Sequence, residues 1–499
     1  MTHEPRCAFD SADPELSDRD QEIYEAVRGA GPVAWSASHD GHWVVTGHEL
    51  CRAVAADQPG FSSARGVHVP PTGLYERGVR IFALEYDQPE HRRHRQLLRQ
   101  AVGDRPARVP EQLIRGHVRR LLGALDWTGP VDLMNDFANP LPLDVIFDII
   151  GADPEFKPEM KALVDALLFR HQAIPGCSDP AGRVIEIARL MAERRRREPA
   201  DDWISYVAGA DDDSADEATS AIVAVITGGH HSTSRGLGSL IARLLTEPGL
   251  QDLLRADPAR IPAAIDETLR LHTPLPSFSR TATADARLGE VTVQAGEQVL
   301  LVYAAANRDP AVYDQPQAFS LGRDHRHSLA FGYGPHRCAG IHLALAELRI
   351  AAEELLQLSG HIELAEPIQW RGPAEPGELL AVIQLVLCGI AAAAGESGAD
   401  GEGDLRDRGH RAVGESQPDG CQAGGREDEK LKAEAVQPAG NDAFGGCDAV
   451  RLDAADQLRH VAVLEVVQDG RRQVPQRVGR SRLILGQRNL SRGCPGELQ

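Results

Sequence analysis

The sequence predicts a mainly α fold with small β-sheets (α+β), organised around one large domain, and three observations carry that reading. Apolar residues recur at three- and four-residue spacings from about 89 to 355, with Pro, Gly and Asp interrupting at intervals. Strand-like runs are short, at 42–46, 291–293, 298–302 and 382–386. Near residue 390 the composition changes and stops offering aromatic side chains to a core.

Along the chain, 18–30 is a helix candidate within a mixed N-terminal stretch, and the helical pattern then dominates. No internal repeat interrupts it. The reading divides the chain into a folded domain over 1–388 and a C-terminal extension over 389–499. The extension holds no Trp or Tyr and one Phe, Phe444, so it is expected to be disordered or loosely ordered. Its composition also suits a GC-rich gene read past or out of frame with its normal ending.

Bulk properties exclude several function classes. The 499 residues are 42% hydrophobic, enough for a sizeable core, and carry a formal net charge of -20. That charge argues against a general nucleic-acid binder, which needs a basic surface. The cysteines at 7, 51, 177, 338, 388, 421, 447 and 494 form no CxxC pair, which argues against a disulfide framework or a ribbon-type zinc site. The N-terminus lacks an apolar signal core, and the longest apolar run, 379–394, is broken by Gln384 and short for a membrane span. A soluble protein of the reducing cytoplasm is expected.

One segment concentrates the chemistry: Phe331-Gly332-Tyr333-Gly334-Pro335-His336-Arg337-Cys338-Ala339-Gly340, directly before a helical pattern. Glycines let such a loop adopt positive φ and approach a flat ligand closely. A cysteine at a helix N-terminus faces the positive end of the dipole, which favours thiolate over thiol. The residues alone leave two other readings open: a buried structural cysteine beside a glycine-rich turn, or zinc with His325, His327, His336 and His342 nearby. These offsets fit no standard closed zinc spacing.

The ten-residue string resembles the cytochrome P450 haem-binding signature, FGxGx(H/R)xCxG, at every fixed position. The resemblance covers roughly 15–388 and implies a P450-like fold, haem b as cofactor, and Cys338 as axial ligand of the iron. It also implies a loop formed by Phe331, Gly332 and Gly340 against the ring. Other segments match in order. Glu267-Thr268-Leu269-Arg270 fits the family's ExxR motif, whose ends share a helix face, and Arg323 stands where the family completes a structural ion-pair network. Asn307-Arg308-Asp309-Pro310 fits the segment after the strand that lines the haem. His91, Arg95, Arg280 and His336 stand at the positions that serve the haem propionates.

The oxygen side departs from the pattern. Apolar 221–226 is followed by Thr227-Gly228-Gly229-His230-His231-Ser232-Thr233-Ser234. Adjacent glycines in a buried helix cost roughly 1 kcal/mol each, so a local opening of the helix is expected there. The family places an acid and a hydroxyl at this point to relay protons, whereas this chain has His231 and Ser232, then Thr233. Proton delivery through Ser232 and water, with His231 assisting, is the expectation.

The resemblance further implies a monooxygenase that inserts one atom of dioxygen into a small organic substrate. Electrons would come from a ferredoxin or flavodoxin, with no nucleic acid or membrane partner and a monomeric state. Arg92, Arg93, Arg99 and Arg337 are candidates for a basic docking patch. Segments 61–86 and 163–178 are expected to set specificity for an apolar or weakly polar molecule. The altered pair at 231–232 leaves two alternatives open, a haem-thiolate peroxygenase and a haem protein that binds ligand without turnover.

Overall fold

The computed structural model describes residues 5–388 apart from 14–15, 71–79, 104–108, 169–176, 211–214, 359, 366, 372–381 and 385. The expected extension over 389–499 lies outside the described residues, as do Leu74, Val79 and Phe169 of the expected specificity segments.

The fold is mainly helical with small sheets. Its central element is the helix Ala215–Thr246, packed against Pro140–Ile150, Pro180–Arg197, Ile261–Leu271 and Ile341–Leu356. The apolar spacing explains that position. Ala221, Ile222, Val225 and Ile226 are buried before the polar cluster, and Leu237, Leu240 and Ile241 are buried after it. Each such Leu or Ile contributes roughly 1.5–3 kcal/mol of burial. Local chemistry sets the neighbouring helix ends. Asp179 and Asp202 cap theirs by accepting from the Gly182 and Ser205 N–H groups. Gly151, at φ 73°, ends Pro140–Ile150, and a Cβ there would lie 2.3 Å from Asp202 Cβ.

A six-stranded sheet forms the second layer, in the order Arg6–Cys7, Val33–Ser36, His42–Val45, Gln298–Val302, Ser277–Ala282, Phe61–Ser62. His42–Val45 and Gln298–Val302 pair in parallel, and Ser277–Ala282 runs antiparallel to the latter. The predicted strands at 42–46, 291–293 and 298–302 are all present. The run at 382–386 is two short strands, Val382–Gln384 and Val386–Cys388.

One strand was not anticipated, and one expectation needs correction. The stretch from 89 to 355 is largely helical as expected, with strands and turns occupying most of the chain between Leu271 and Ile341. The strand Ser277–Ala282 escaped the pattern because its polar Ser279, Arg280 and Thr281 are buried like apolar residues. The helix Ala215–Thr246 also stays helical through Gly228 and Gly229 instead of opening.

Candidate active site

The cysteine loop is shaped by its own hydrogen bonds. Cys338 N–H donates to the Phe331 carbonyl at 2.9 Å, and Gly332 N–H donates to Leu329 at 2.9 Å. Gly334, at φ 72°, cannot carry a side chain: a Cβ there would fall 2.4 Å from the Ala55 carbonyl oxygen. The loop delivers Cys338 to the wall of a cavity of about 500 Å³. Its accessible surface is therefore cavity wall, although the residue sits deep in the protein. Burial pushes the thiol pKa up, opposed by the Gly340 backbone and by Arg95 and Arg337. Burial thus opposes the thiolate preference expected of the helix end, and a coordinated cation would favour the ionised form.

The same cavity carries His91, Arg95, Arg280 and His336 on its wall. The His91 and His336 rings lie 4.2 Å apart. His91 is lowered to about 4 by burial and then by Arg95, and His336 to about 2 by burial and then by Arg280. The carboxylate acting on His91, Asp87, is held by Ser62 and by the Ser63 N–H. His91 Nε2 is buried without a partner, whereas His336 Nε2 already meets Gln58 Nε2 at 2.9 Å. Two guanidiniums and two neutral imidazoles facing one space, with an orphaned nitrogen among them, fit a ligand that brings negative charge.

Behind the loop, Glu267 and Arg270 form a buried bidentate pair at 2.8 and 2.9 Å, and Arg323 Nε joins Glu267 at 3.0 Å. Arg270 also donates to the carbonyls of Asn307 and Pro316. The Asn307 side chain accepts from the Leu329 N–H at 2.7 Å, tying this network to the start of the cysteine loop.

On the opposite segment, His231, Ser232 and Thr233 all line the cavity. The Ser232 hydroxyl donates to the Gly228 carbonyl at 2.9 Å, and Thr227 does the same to Val223 at 2.8 Å. Both hydroxyls thus back-bond within a helix that stays continuous where an opening was expected. The two glycines serve different ends: a Cβ on Gly229 would lie 2.8 Å from Ile146 Cδ1, while one on Gly228 would enter open cavity. His231 is lowered well below 6.5, first by burial and then by His230 and Arg235, so it is neutral near pH 7. It hydrogen-bonds the Val164 backbone and leaves Nε2 buried without a partner.

Several wall residues were missed. Val184 and Ile185 face the cavity, although their helical spacing reads as plain core. Glu347, raised to about 8 by burial, is the carboxylate on the wall among the described residues. Ile81, Phe82 and Leu84 line the cavity as expected, but Val67 and Val69 are buried core. Of the basic patch, Arg92, Arg99 and Arg337 are exposed, while Arg93 is ion-paired with Glu217.

A helical fold with a cysteine loop, a quartet of Arg and His side chains and a large apolar chamber fits a haem-thiolate enzyme. Comparison with known proteins agrees. The sequence profile described as Cytochrome P450 matches residues 187–358. The chain is 34% identical over 345 residues to nocardicin C N-oxygenase of Nocardia uniformis subsp. tsuyamanensis, covering 66% of this chain and 85% of that one. It is 32% identical over 350 residues to 6-deoxyerythronolide B hydroxylase of Saccharopolyspora erythraea, covering 66% and 86%. Among solved structures, it is similar to CYP101J2, with a TM-score of 0.68, 26% identity, and coverage of 78% and 98%. The chain belongs to the cytochrome P450 family. Its cofactor is haem b, and it is a monooxygenase that takes O2 and an organic small molecule. No helix among the described residues is long and apolar enough to cross a membrane.

Proposed function

We propose that Cys338 supplies the axial ligand of the haem iron in a monomeric, cytoplasmic monooxygenase reduced by a ferredoxin or flavodoxin. Residues 1–388 are taken as its haem domain and 389–499 as an extension. One observation carries the reading: the thiol of Cys338 and the quartet His91, Arg95, Arg280 and His336 line a single cavity whose remaining wall is largely apolar. The quartet would hold the propionates, with His91 the freer donor. Phe331, Gly332 and Gly340 would bound the ring, and Glu267, Arg270 and Arg323 would fix the backbone behind it.

Bound haem supplies the activation of dioxygen. The chain's own part is to move protons and exclude water. The Ser232 hydroxyl can turn from the Gly228 carbonyl toward the cavity by a rotation about its Cα–Cβ bond, holding a proton at Oγ. Neutral His231 can accept and release one at its unpartnered Nε2, and Thr233 continues the polar edge. Arg92, Arg99 and Arg337 would steer an acidic ferredoxin. The apolar wall favours an apolar or weakly polar substrate.

The test uses the reduced, carbon monoxide-bound absorption spectrum. The native chain should show the band of thiolate-ligated haem, and Cys338→Ser should lose it; a persisting band would overturn the ligand assignment. Ser232→Ala should lower the product formed per reductant consumed by roughly tenfold. An unchanged ratio would remove Ser232 from proton delivery.

A further inference from the structure

The cavity wall carries a cation that the propionate quartet does not absorb. Arg80 lines the cavity, and it is not among the charges that act on His91, Arg95, Arg280 or His336. Its guanidinium is held in place: Nη2 donates to the Glu85 carbonyl, and Cζ sits 3.9 Å over the Tyr86 ring. Its Nε is buried without a partner. Among the described residues no ion pair forms to it. Glu217, which acts on the adjoining Tyr86, is engaged by Arg93 and His94. The Glu85 carboxylate accepts from the Ile81 N–H. His68, also on the wall, is lowered to about 4 by burial and adds no charge near pH 7.

A guanidinium that is fixed, partly desolvated and without a carboxylate partner among the described residues is preorganised for an oxyanion. Its place in the fold sets the distance to the reacting end. The Arg80 carbonyl accepts from the Ser220 hydroxyl at 2.6 Å. Ser220 and Ser232 share one helix, 12 residues and therefore about 18 Å apart along its axis. Between them Val223, Ala224 and Thr227 line the same cavity.

We infer that Arg80 anchors a carboxylate on the substrate, so that the substrate class is an elongated, mainly apolar acid lying along the helix Ala215–Thr246 with its far end toward Ser232. This rests on the monooxygenase reading above and narrows its substrate. It also sharpens the expectation of an apolar or weakly polar molecule by adding one anionic end.

The experiment titrates the haem-loaded full chain with decanoic, dodecanoic and tetradecanoic acids, and with the matching alcohols and methyl esters. Binding is followed by displacement of the sixth ligand in the haem spectrum and, independently, by calorimetry. The acids should bind at least about tenfold tighter than the neutral analogues, as a charge-assisted pair would give. Arg80→Gln should abolish that preference, and Arg80→Lys should keep part of it. Equal affinity for acid and alcohol, an unchanged preference in Arg80→Gln, or no binding of any acid would overturn the inference. The carbon monoxide spectrum of each variant reports the haem-thiolate reading separately, so failure of the anchor and failure of that reading are distinguishable.

Discussion

Two clusters of buried polar groups serve the cysteine loop and obey opposite rules. In the first, Glu267, Arg270 and Arg323 answer one another, and the remaining arginine donors go to backbone carbonyls such as Asn307 and Pro316. In the second, Arg95 and Arg280 face one cavity with His91 and His336, hold both imidazoles in the neutral form together with burial, and form no ion pair among the described residues. The difference teaches how to tell a strut from a receptor. A charge cluster completed within the protein holds backbone in place, whereas one left incomplete shows where a ligand must bring the missing charge.

The largest effect should come from breaking the complete cluster. Arg270→Ala leaves Glu267 buried at 0% exposure with Arg323 as its remaining guanidinium partner. Removing one member of such a pair costs about 3–5 kcal/mol. Denaturant unfolding should show that loss with and without haem. By contrast, Arg280→Met should leave the haem-free fold no less stable while weakening haem retention by more than about tenfold. If both substitutions destabilised the haem-free chain equally, the distinction between strut and receptor would fail.

A pH series sharpens the same contrast. His91 is lowered to about 4 in the folded haem-free chain, against an ordinary value of 6.5. The unfolded chain therefore takes up its proton first, at higher pH. The stability associated with neutral His91 is complete above about 6.5 and is lost as pH falls toward about 4. At about 1.4 kcal/mol per unit, the loss reaches on the order of 3–4 kcal/mol. Two propionates beside His91 would raise its folded value and flatten the dependence. Urea midpoints at neutral and mildly acid pH, with and without haem, measure this, and identical slopes would remove His91 from the cofactor's charge site.

The complete cluster and the cysteine loop were legible in the sequence because they are short strings with fixed residue types. Each of His91, Arg95, Arg280 and His336 could be named for a similar reason. What escaped was set by contacts between distant segments. Arg93 reads as one of four patch cations, yet it reaches Glu217, 124 residues away. Val184 and Ile185 have the spacing of core residues, and only the cavity beside them distinguishes a wall from an interior. Glu347 sits in a helix among alanines and leucines, where a carboxylate ordinarily marks a solvated face. Arg80 lies outside every motif. The expected opening at 228–229 did not occur: the helix runs unbroken through both glycines, and the structure gives no local reason for it.

The smallest effect separates the two glycines themselves, which look equivalent in sequence. Replacing either with alanine removes a helix penalty of about 1 kcal/mol. At Gly229 that gain meets a Cβ 2.8 Å from Ile146 Cδ1 and 3.0 Å from Cγ1, so side chain or helix must shift. Overpacking of this kind costs about 1–3 kcal/mol, which leaves Gly229→Ala net destabilising by about 1 kcal/mol. At Gly228 nothing lies within 4 Å of the new methyl, so Gly228→Ala should stabilise the haem-free fold by up to about 1 kcal/mol. The same methyl then projects into the cavity, and substrate binding, read from displacement of the sixth haem ligand, should weaken. Opposite signs for the two variants in thermal unfolding would establish that one glycine is kept for helix packing and the other for open space. Equal signs would mean that Ile146 yields without cost, and that the pair is a single tolerated flaw in the helix.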